Sequence, residues 1–373
     1  MHRFALKLIY LMMILNTVVF ASPAFASYAS LLKQSKIQYS KRNFSAAEKL
    51  ALQAIRLNPG ILEGHLERGR ALRRLQRNDE AIQELNAAIK INPRSAEAFL
   101  ERGKVYQKMK KAKQAYRDAA RTIQLNPRIA DAYLVRAIAS YVIDDYSKKQ
   151  DTSDSLADLK KCLSLEPNNV EALRSLSMYY ADRKNYNQTI AVLTRLLSLY
   201  PGDAKSLRYR SMAYSALKKD KLALKDLDTA VKYNPQSDSS WLARGSFHES
   251  HGNLSQAFHD YSRAIGLNSV NFRLRYMRAT VALKLKKYQV AIDDYSAVIR
   301  ANGIDDEAFK RRGDAYFASG DFRHALMDYT EAIELQPEIA GYYTARSQAY
   351  AKLGNKRQAI EDSKKATHLR NAP

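Results

Sequence analysis

Cysteine, glycine and proline are scarce in this chain. Cys162 is the only cysteine among 373 residues, so no disulfide can form within the molecule. With 13 glycines and 9 prolines, the composition excludes collagen-like and Gly/Pro-rich low-complexity chains and favours helix. No G-x-x-x-x-G-K-S/T phosphate loop and no G-x-G-x-x-G fingerprint occurs. Neither an H-E-x-x-H zinc helix nor a G-x-S-x-G elbow is present. Ser30-x-x-Lys33 and Ser215-x-x-Lys218 match one fragment of a penicillin-binding-type motif, but its companion motifs are missing. No cofactor and no enzymatic activity is expected. Acidic residues are also short, 38 against 61 lysines and arginines, for a formal charge of +23. Electrostatics must then bear on which partners the protein meets.

The one long apolar run stands at the start. Leu8 to Phe20 are mostly apolar, broken by Asn16 and Thr17, and they follow Arg3 and Lys7. Ala24-Phe25-Ala26 then gives the small-x-small pattern that a signal peptidase needs. Residues 1–26 read as a cleaved secretory signal, with Ser27 first in the mature chain. The run is shorter than the about 20 residues of a comfortable membrane span. An uncleaved N-terminal anchor in the inner membrane is the alternative. No cysteine follows the site, which argues against a lipid-modified N-terminus. A bacterial periplasm or the cell exterior is the expected location, and loss of Arg3 and Lys7 leaves a charge of +21. Asn43, Asn187 and Asn253 fit glycosylation sequons, which matter only in a eukaryotic host.

Proline recurs on a fixed beat. Pro59, Pro93 and Pro127 lie 34 residues apart, Pro167 follows at 40, and Pro201 and Pro235 return at 34. Pro337 lies three further periods on, with Ser269 and Gly303 in the slots between. Residues 27–373 therefore hold ten units: 28–61, 62–95, 96–129, 130–169 with a six-residue insertion, 170–203, 204–237, 238–271, 272–305, 306–339 and 340–373. Each unit reads as two short amphipathic helices, the second ended by the proline. The eighth place is small in all ten: Ser35, Gly69, Gly103, Ala137, Ser177, Ser211, Gly245, Ala279, Gly313 and Ser347. The twentieth is alanine in eight, and small residues at both places let paired helices approach closely. Tyr106, Tyr180, Tyr214, Tyr316 and Tyr350, at the eleventh place, read as aromatic core wedges. Ser95, Asn169, Asp203, Ser237, Asn271 and Asp305 read as N-caps of the following helix.

A charge pattern accompanies the period. The seventh place is Arg68, Arg102, Arg136, Arg210, Arg244, Arg278, Arg312 and Arg346; the twenty-third is Glu84, Asp118, Asp158, Asp226, Asp260, Asp294, Asp328 and Asp362. The two remaining units hold Gln34 with Leu50 and Leu176 with Val192, so both charges vanish together. The spacing predicts an ion pair between the two helices of each of the eight units. A phosphate-binding arginine ladder is the functional alternative.

Other polar clusters read as scaffold. His248, Glu249 and His251, with His259 nearby, have a spacing compatible with metal ligation. His248 takes a core slot, however, and His251 falls near a turn, so no metal is expected. Cys162 sits at the twenty-seventh place, where alanine packs. Asp144, Asp145, Asp151 and Asp154 in the insertion read as a solvated acidic loop, with a docking spur for a basic partner as the alternative. Lys104, Lys108, Lys110, Lys111 and Lys113 form a possible anion site.

In period and marker places the pattern resembles the tetratricopeptide repeat family over essentially all of residues 28–373. The resemblance implies an all-α, right-handed superhelical solenoid of ten helix-turn-helix repeats after a signal peptide. It further implies a concave groove lined by the first helices, where places 2, 5, 6, 9, 12 and 13 hold Arg174, Met178, Lys205, Arg208, Tyr209, Met212, Arg273, Tyr276, Met277, Lys310, Arg311 and Phe317. Arg, Tyr and Met together suit an extended or helical peptide. Some members grip chaperone tails with a carboxylate clamp of Asn at places 6 and 9 and surrounding Lys and Arg, and no unit here has Asn at place 6. An exported scaffold that binds a protein or peptide partner is the expected function. A binder of anionic polymers, such as cell-wall polymer or lipopolysaccharide, is the alternative, with nucleic acid disfavoured by export.

Overall fold

The computed structural model describes residues 23–147 and 153–371, and no side chain of 23–26 or 144–154. Of the signal reading over residues 1–26, residues 1–22 lie outside the described residues, while 23–26 open the first helix. The expected acidic loop is shorter than its reading: Asp144 and Asp145 belong to the helix that runs to Ser147, Asp154 belongs to the one that starts at Ser153, and Asp151 lies outside the described residues. Among the described residues there are twenty helices and no strands. None of those helices is long and apolar enough to cross a membrane. The chain divides into two compact units, residues 1–185 and 186–373. The division falls between the helices of the fifth repeat, one of the two whose seventh and twenty-third places are uncharged.

The first unit holds α1 (Pro23–Ser40), α2 (Phe44–Leu57), α3 (Leu62–Arg74), α4 (Asn78–Ile91), α5 (Ala96–Lys108), α6 (Ala112–Leu125), α7 (Ala130–Ser147), α8 (Ser153–Leu165) and α9 (Val170–Asp182). The second holds α10 (Tyr186–Leu199), α11 (Ala204–Ala216), α12 (Asp220–Tyr233), α13 (Asp238–Ser250), α14 (Leu254–Leu267), α15 (Phe272–Lys284), α16 (Tyr288–Ala301), α17 (Asp306–Ser319), α18 (Phe322–Leu335), α19 (Ala340–Lys352) and α20 (Lys356–Asn371). Within each unit, consecutive helices pack as antiparallel neighbours, and each unit is a helical repeat solenoid.

The turns follow from local chemistry. Ser95, Asn169, Asp203, Ser237 and Asp305 accept the backbone N–H three residues on, which supplies an orphan donor of the following helix with a partner. Asn271 makes no such cap, contrary to its reading from the sequence. Among the described residues, the turn from first to second helix carries a left-handed residue at the fifteenth place in nine repeats. It is Gly252, Gly320 and Gly354 in three repeats, but Arg42, Gln76, Lys110, Lys184, Lys218 and Lys286 in six others, with φ between 56° and 62°. A side chain there costs about 1 kcal/mol relative to glycine. Gln76→Gly is accordingly expected to raise stability by about that amount in urea unfolding.

Each core is assembled at the small eighth place. A Cβ on Gly69 would stand 2.7 Å from Leu85, one on Gly245 2.8 Å from Tyr261, and one on Gly313 2.7 Å from Tyr329. The twentieth-place alanines Ala81, Ala115, Ala223, Ala257, Ala291 and Ala325 are fully buried beside them. The eleventh-place tyrosines share the core with a second set: Tyr106 and Tyr316 pack against buried clusters. Tyr106, Tyr180, Tyr214, Tyr316 and Tyr350 are half-buried, while Tyr261, Tyr295 and Tyr329 at the twenty-fourth place are buried to 2 % exposure or less. Their hydroxyls reach Glu249, Thr280 and Asp314 at 2.9, 2.9 and 3.0 Å. Cys162 is buried, and burial pushes its thiol up to about 12.

Candidate functional site

The seventh-place arginines are forks between the two helices of a repeat. Arg102, Arg136, Arg210, Arg244, Arg278, Arg312 and Arg346 each donate from Nε and Nη2 to both oxygens of Asp118, Asp158, Asp226, Asp260, Asp294, Asp328 and Asp362, at 2.7 to 2.9 Å. Bidentate charge-assisted bonds of this kind fix geometry as well as energy. Arg68 departs from the pattern. It donates to Glu84 at 2.5 Å and to Glu48 of the preceding repeat at 2.9 Å.

The third arm of the fork was not legible in the pairing pattern. Nη1 reaches back sixteen residues to the preceding repeat, where it meets Asn86, Thr194, Asp228, Ser262, Ser296 or Thr330. The polar twenty-fifth place was the available signal. Aromatic rings flank the same guanidiniums, among them Tyr214 beside Arg210, Trp241 beside Arg244 and Tyr350 beside Arg346. With their donors engaged and their acids buried, these arginines are joints between helices and repeats.

The inner face, meaning the side of the first helices turned away from the second helices, is less free than its composition suggests. In the first unit Arg174 is bonded to Glu171 at 2.7 Å, and Met178 is exposed. That unit's inner charges are cross-linked: Arg70 meets Glu67, Arg73 meets Glu101, and Lys104 meets Asp131 at 2.7 Å. Lys104 therefore leaves the proposed anion site, while Lys108, Lys110, Lys111 and Lys113 remain exposed.

In the second unit the expected row of free cations is corrected. Lys310 pairs with Asp314 and Arg311 with Glu307, each at 2.7 Å and one turn apart on α17. Arg208 donates to Ser240 at 3.2 Å, and burial pushes its guanidinium down. Three apolar members are half-buried in the core. Tyr276 meets Tyr295 edge-on at 5.4 Å, Met277 packs beside Tyr261 and Val281, and Phe317 meets Phe322 edge-on at 5.2 Å. Lys205, Met212 and Arg273 stay exposed, with Tyr209 half-buried and its ring 5.8 Å from the Lys205 ammonium. On α13 between them the corresponding places include Ser239, Leu242, Ala243 and Glu249, while Ser246 accepts from the Tyr261 hydroxyl of the second helix at 3.3 Å.

The histidines take structural places. Among the described residues no group of three or more His, Cys, Asp or Glu could hold a metal. His251 stacks on Phe247 and lies 3.4 Å from Asp220, and His259 lies beside Trp241. His65 bridges Glu84 at 2.6 Å and the Pro59 carbonyl at 3.0 Å, and its bond to Glu84 holds its pKa up. His248 is held down, chiefly by burial, and its Nδ1 has no hydrogen-bond partner. The signs oppose each other. The His65 contribution is complete below the ordinary histidine value of about 6.5 and is lost as pH rises through its raised pKa. The His248 contribution is present above about 6.5 and is lost as pH falls through its lowered pKa. His248→Tyr, the residue of this place in other repeats, should flatten the acid side of the stability profile. His65→Gln should remove stability chiefly on the acid side; urea titrations between pH 5 and 8 test both.

Family models of the tetratricopeptide repeat match residues 69–110, 250–307, 306–339 and 340–373. No curated protein matches the sequence. Among solved structures, the chain is similar to a tetratricopeptide repeat protein from Parabacteroides merdae ATCC 43184. Identity is 18%, over 69% of this chain and 99% of that one, with a TM-score of 0.53, and the likeness is one of fold. It is also similar to MamA from Desulfovibrio magneticus RS-1 (22% identity, 45% of this chain and 96% of that one, TM-score 0.43). YrrB, described as a TPR protein with an unusual peptide-binding site, is similar at 21% identity over 48% of this chain and 91% of that one, TM-score 0.44. The chain carries tetratricopeptide repeats, matched by family models at residues 69–110 and 250–373.

Proposed function

We propose that the chain is an exported, non-catalytic scaffold that binds a protein or peptide partner on the inner face of its second unit. The observation that carries this reading is the exposure of Met212, 67 % accessible, on a face that also offers Lys205, Tyr209 and Arg273. An exposed thioether on a face with exposed cations provides adaptable apolar contact plus charged donors for backbone or acidic groups. Scattered surface apolar residues need no such account, but Met212 stands among the first-helix positions that repeat arrays leave open.

A pull-down from envelope extract tests the reading, with wild type and the Met212→Glu/Arg273→Glu variant as baits at low and high salt. Arg208 and Arg311 are left intact because Ser240 and Glu307 engage them. A discrete protein retained at high salt by wild type and lost by the variant supports the scaffold. Equal capture by both baits, or capture of unrelated anions at low salt alone, overturns it.

A further inference from the structure

The second unit sorts its charges by edge. The turns from first to second helix (216–222, 250–256, 284–290, 318–324 and 352–358) carry ten lysines and arginines against Asp220 and Asp321. The turns into the next repeat (199–205, 233–239, 267–273, 301–307 and 335–341) carry six acids against Lys205 and Arg273. Successive first helices are neighbours in this unit, as the Arg208–Ser240 and Lys284–Glu249 contacts show, so turns of each kind line one edge. One edge is therefore strongly basic and the opposite edge acidic. Lys218, Lys219, Lys221, Lys286, Lys352 and Lys356 are exposed and have no ion-pair partner among the described residues.

We propose that this basic edge docks the protein onto an anionic lipid bilayer, with the acidic edge turned away. Lysine is a compact, strongly hydrated point charge, suited to a diffuse sheet of acidic headgroups, whereas fixed phosphates are gripped by arginine forks. Eight of the ten cations on the edge are lysine, and the forked arginines are spent on Asp226, Asp260, Asp294, Asp328 and Asp362. Single-stranded nucleic acid needs exposed stacking rings, and the aromatic residues of these turns, Tyr288 and Phe322, are half-buried. The opposite charge on the far edge adds an orienting dipole, which a planar surface exploits and a flexible wrapping polymer does not. The first unit, taken by itself, has the same sign at its first three turns, with eight cations against Asp79 and Glu80. The proposal is independent of the inner face.

The test uses the full chain with one added cysteine. Ser319→Cys labels the basic edge and Gln236→Cys the acidic edge, while buried Cys162 does not react. Labelled protein is mixed with phosphatidylcholine vesicles carrying a headgroup quencher, with and without phosphatidylglycerol. Quenching is expected at Ser319→Cys and not at Gln236→Cys, only with phosphatidylglycerol, and it should weaken in high salt. Lys218→Glu/Lys286→Glu should weaken binding by at least about tenfold, and Lys225→Glu/Lys232→Glu, an equal charge change on α12, by less than about threefold. The apolar run from Leu8 to Phe20 is common to every variant, so their differences report the edge. Equal quenching at both labels, equal loss in both charge variants, or no dependence on phosphatidylglycerol overturns the proposal. So does loss of duplex or single-stranded DNA binding in the edge variant while vesicle binding is unchanged.

Discussion

Asp294→Ala is expected to remove about 3–5 kcal/mol of folding free energy, a large share of what a compact unit possesses. Asp294 is 1 % exposed and accepts from Arg278 at 2.7 and 2.9 Å and from Arg275 at 3.1 Å. Truncating it leaves the Arg278 guanidinium partly buried with its main counter-charge gone, and that stranded charge is the larger part of the cost. The chain contains its own control. In the fifth repeat Leu176 and Val192 occupy the two places, so Arg278→Leu/Asp294→Val should recover most of the loss. Each repeat leans chiefly on its neighbours, so the damage should be concentrated in residues 272–305. Urea unfolding with hydrogen exchange checks both points. A single mutant within about 1 kcal/mol of wild type would show the fork to be marginal.

Gly313→Ala should destabilise by about 1–3 kcal/mol, although alanine is ordinarily the better helix former by about 1 kcal/mol. The new methyl would lie 2.7 and 2.9 Å from the Tyr329 ring and 3.2 Å from Asp328 Cβ, and that ring is 2 % exposed with no room to yield. The sixth repeat solves the same contact with Ser211 against Leu227. Gly313→Ala/Tyr329→Leu should therefore fare better than the single change. Gly266, late in α14, has nothing within 4 Å of an added Cβ. Gly266→Ala should instead stabilise by about 0.5–1 kcal/mol, so thermal melts of the two alanine variants must move in opposite directions. Movement in the same direction would mean that the close approach at Gly313 does not govern its packing.

The sequence by itself determined the period, the alternation of helix and turn, and the places that must stay small, because each is a local property repeated at a fixed interval. Gly69, Gly245 and Gly313 announce close helix approach by recurring opposite alanine. The paired presence and absence of Arg278 with Asp294, against Leu176 with Val192, identifies the two ends of a fork for the same reason. Tertiary structure alone decided what a periodic reading cannot weigh. Place 24 became the buried aromatic slot, with Tyr261, Tyr295 and Tyr329, because it faces the missing Cβ or small methyl of the paired helix. The pairing of Lys310 with Asp314 and of Arg311 with Glu307 belongs on the sequence side of this division, because an i,i+4 spacing within one helix is local, although a reading by groove place passes over it. The separation of basic and acidic edges follows from packing too: each turn carries only a few charges, and their sum has a direction only when equivalent helices of successive repeats stack side by side.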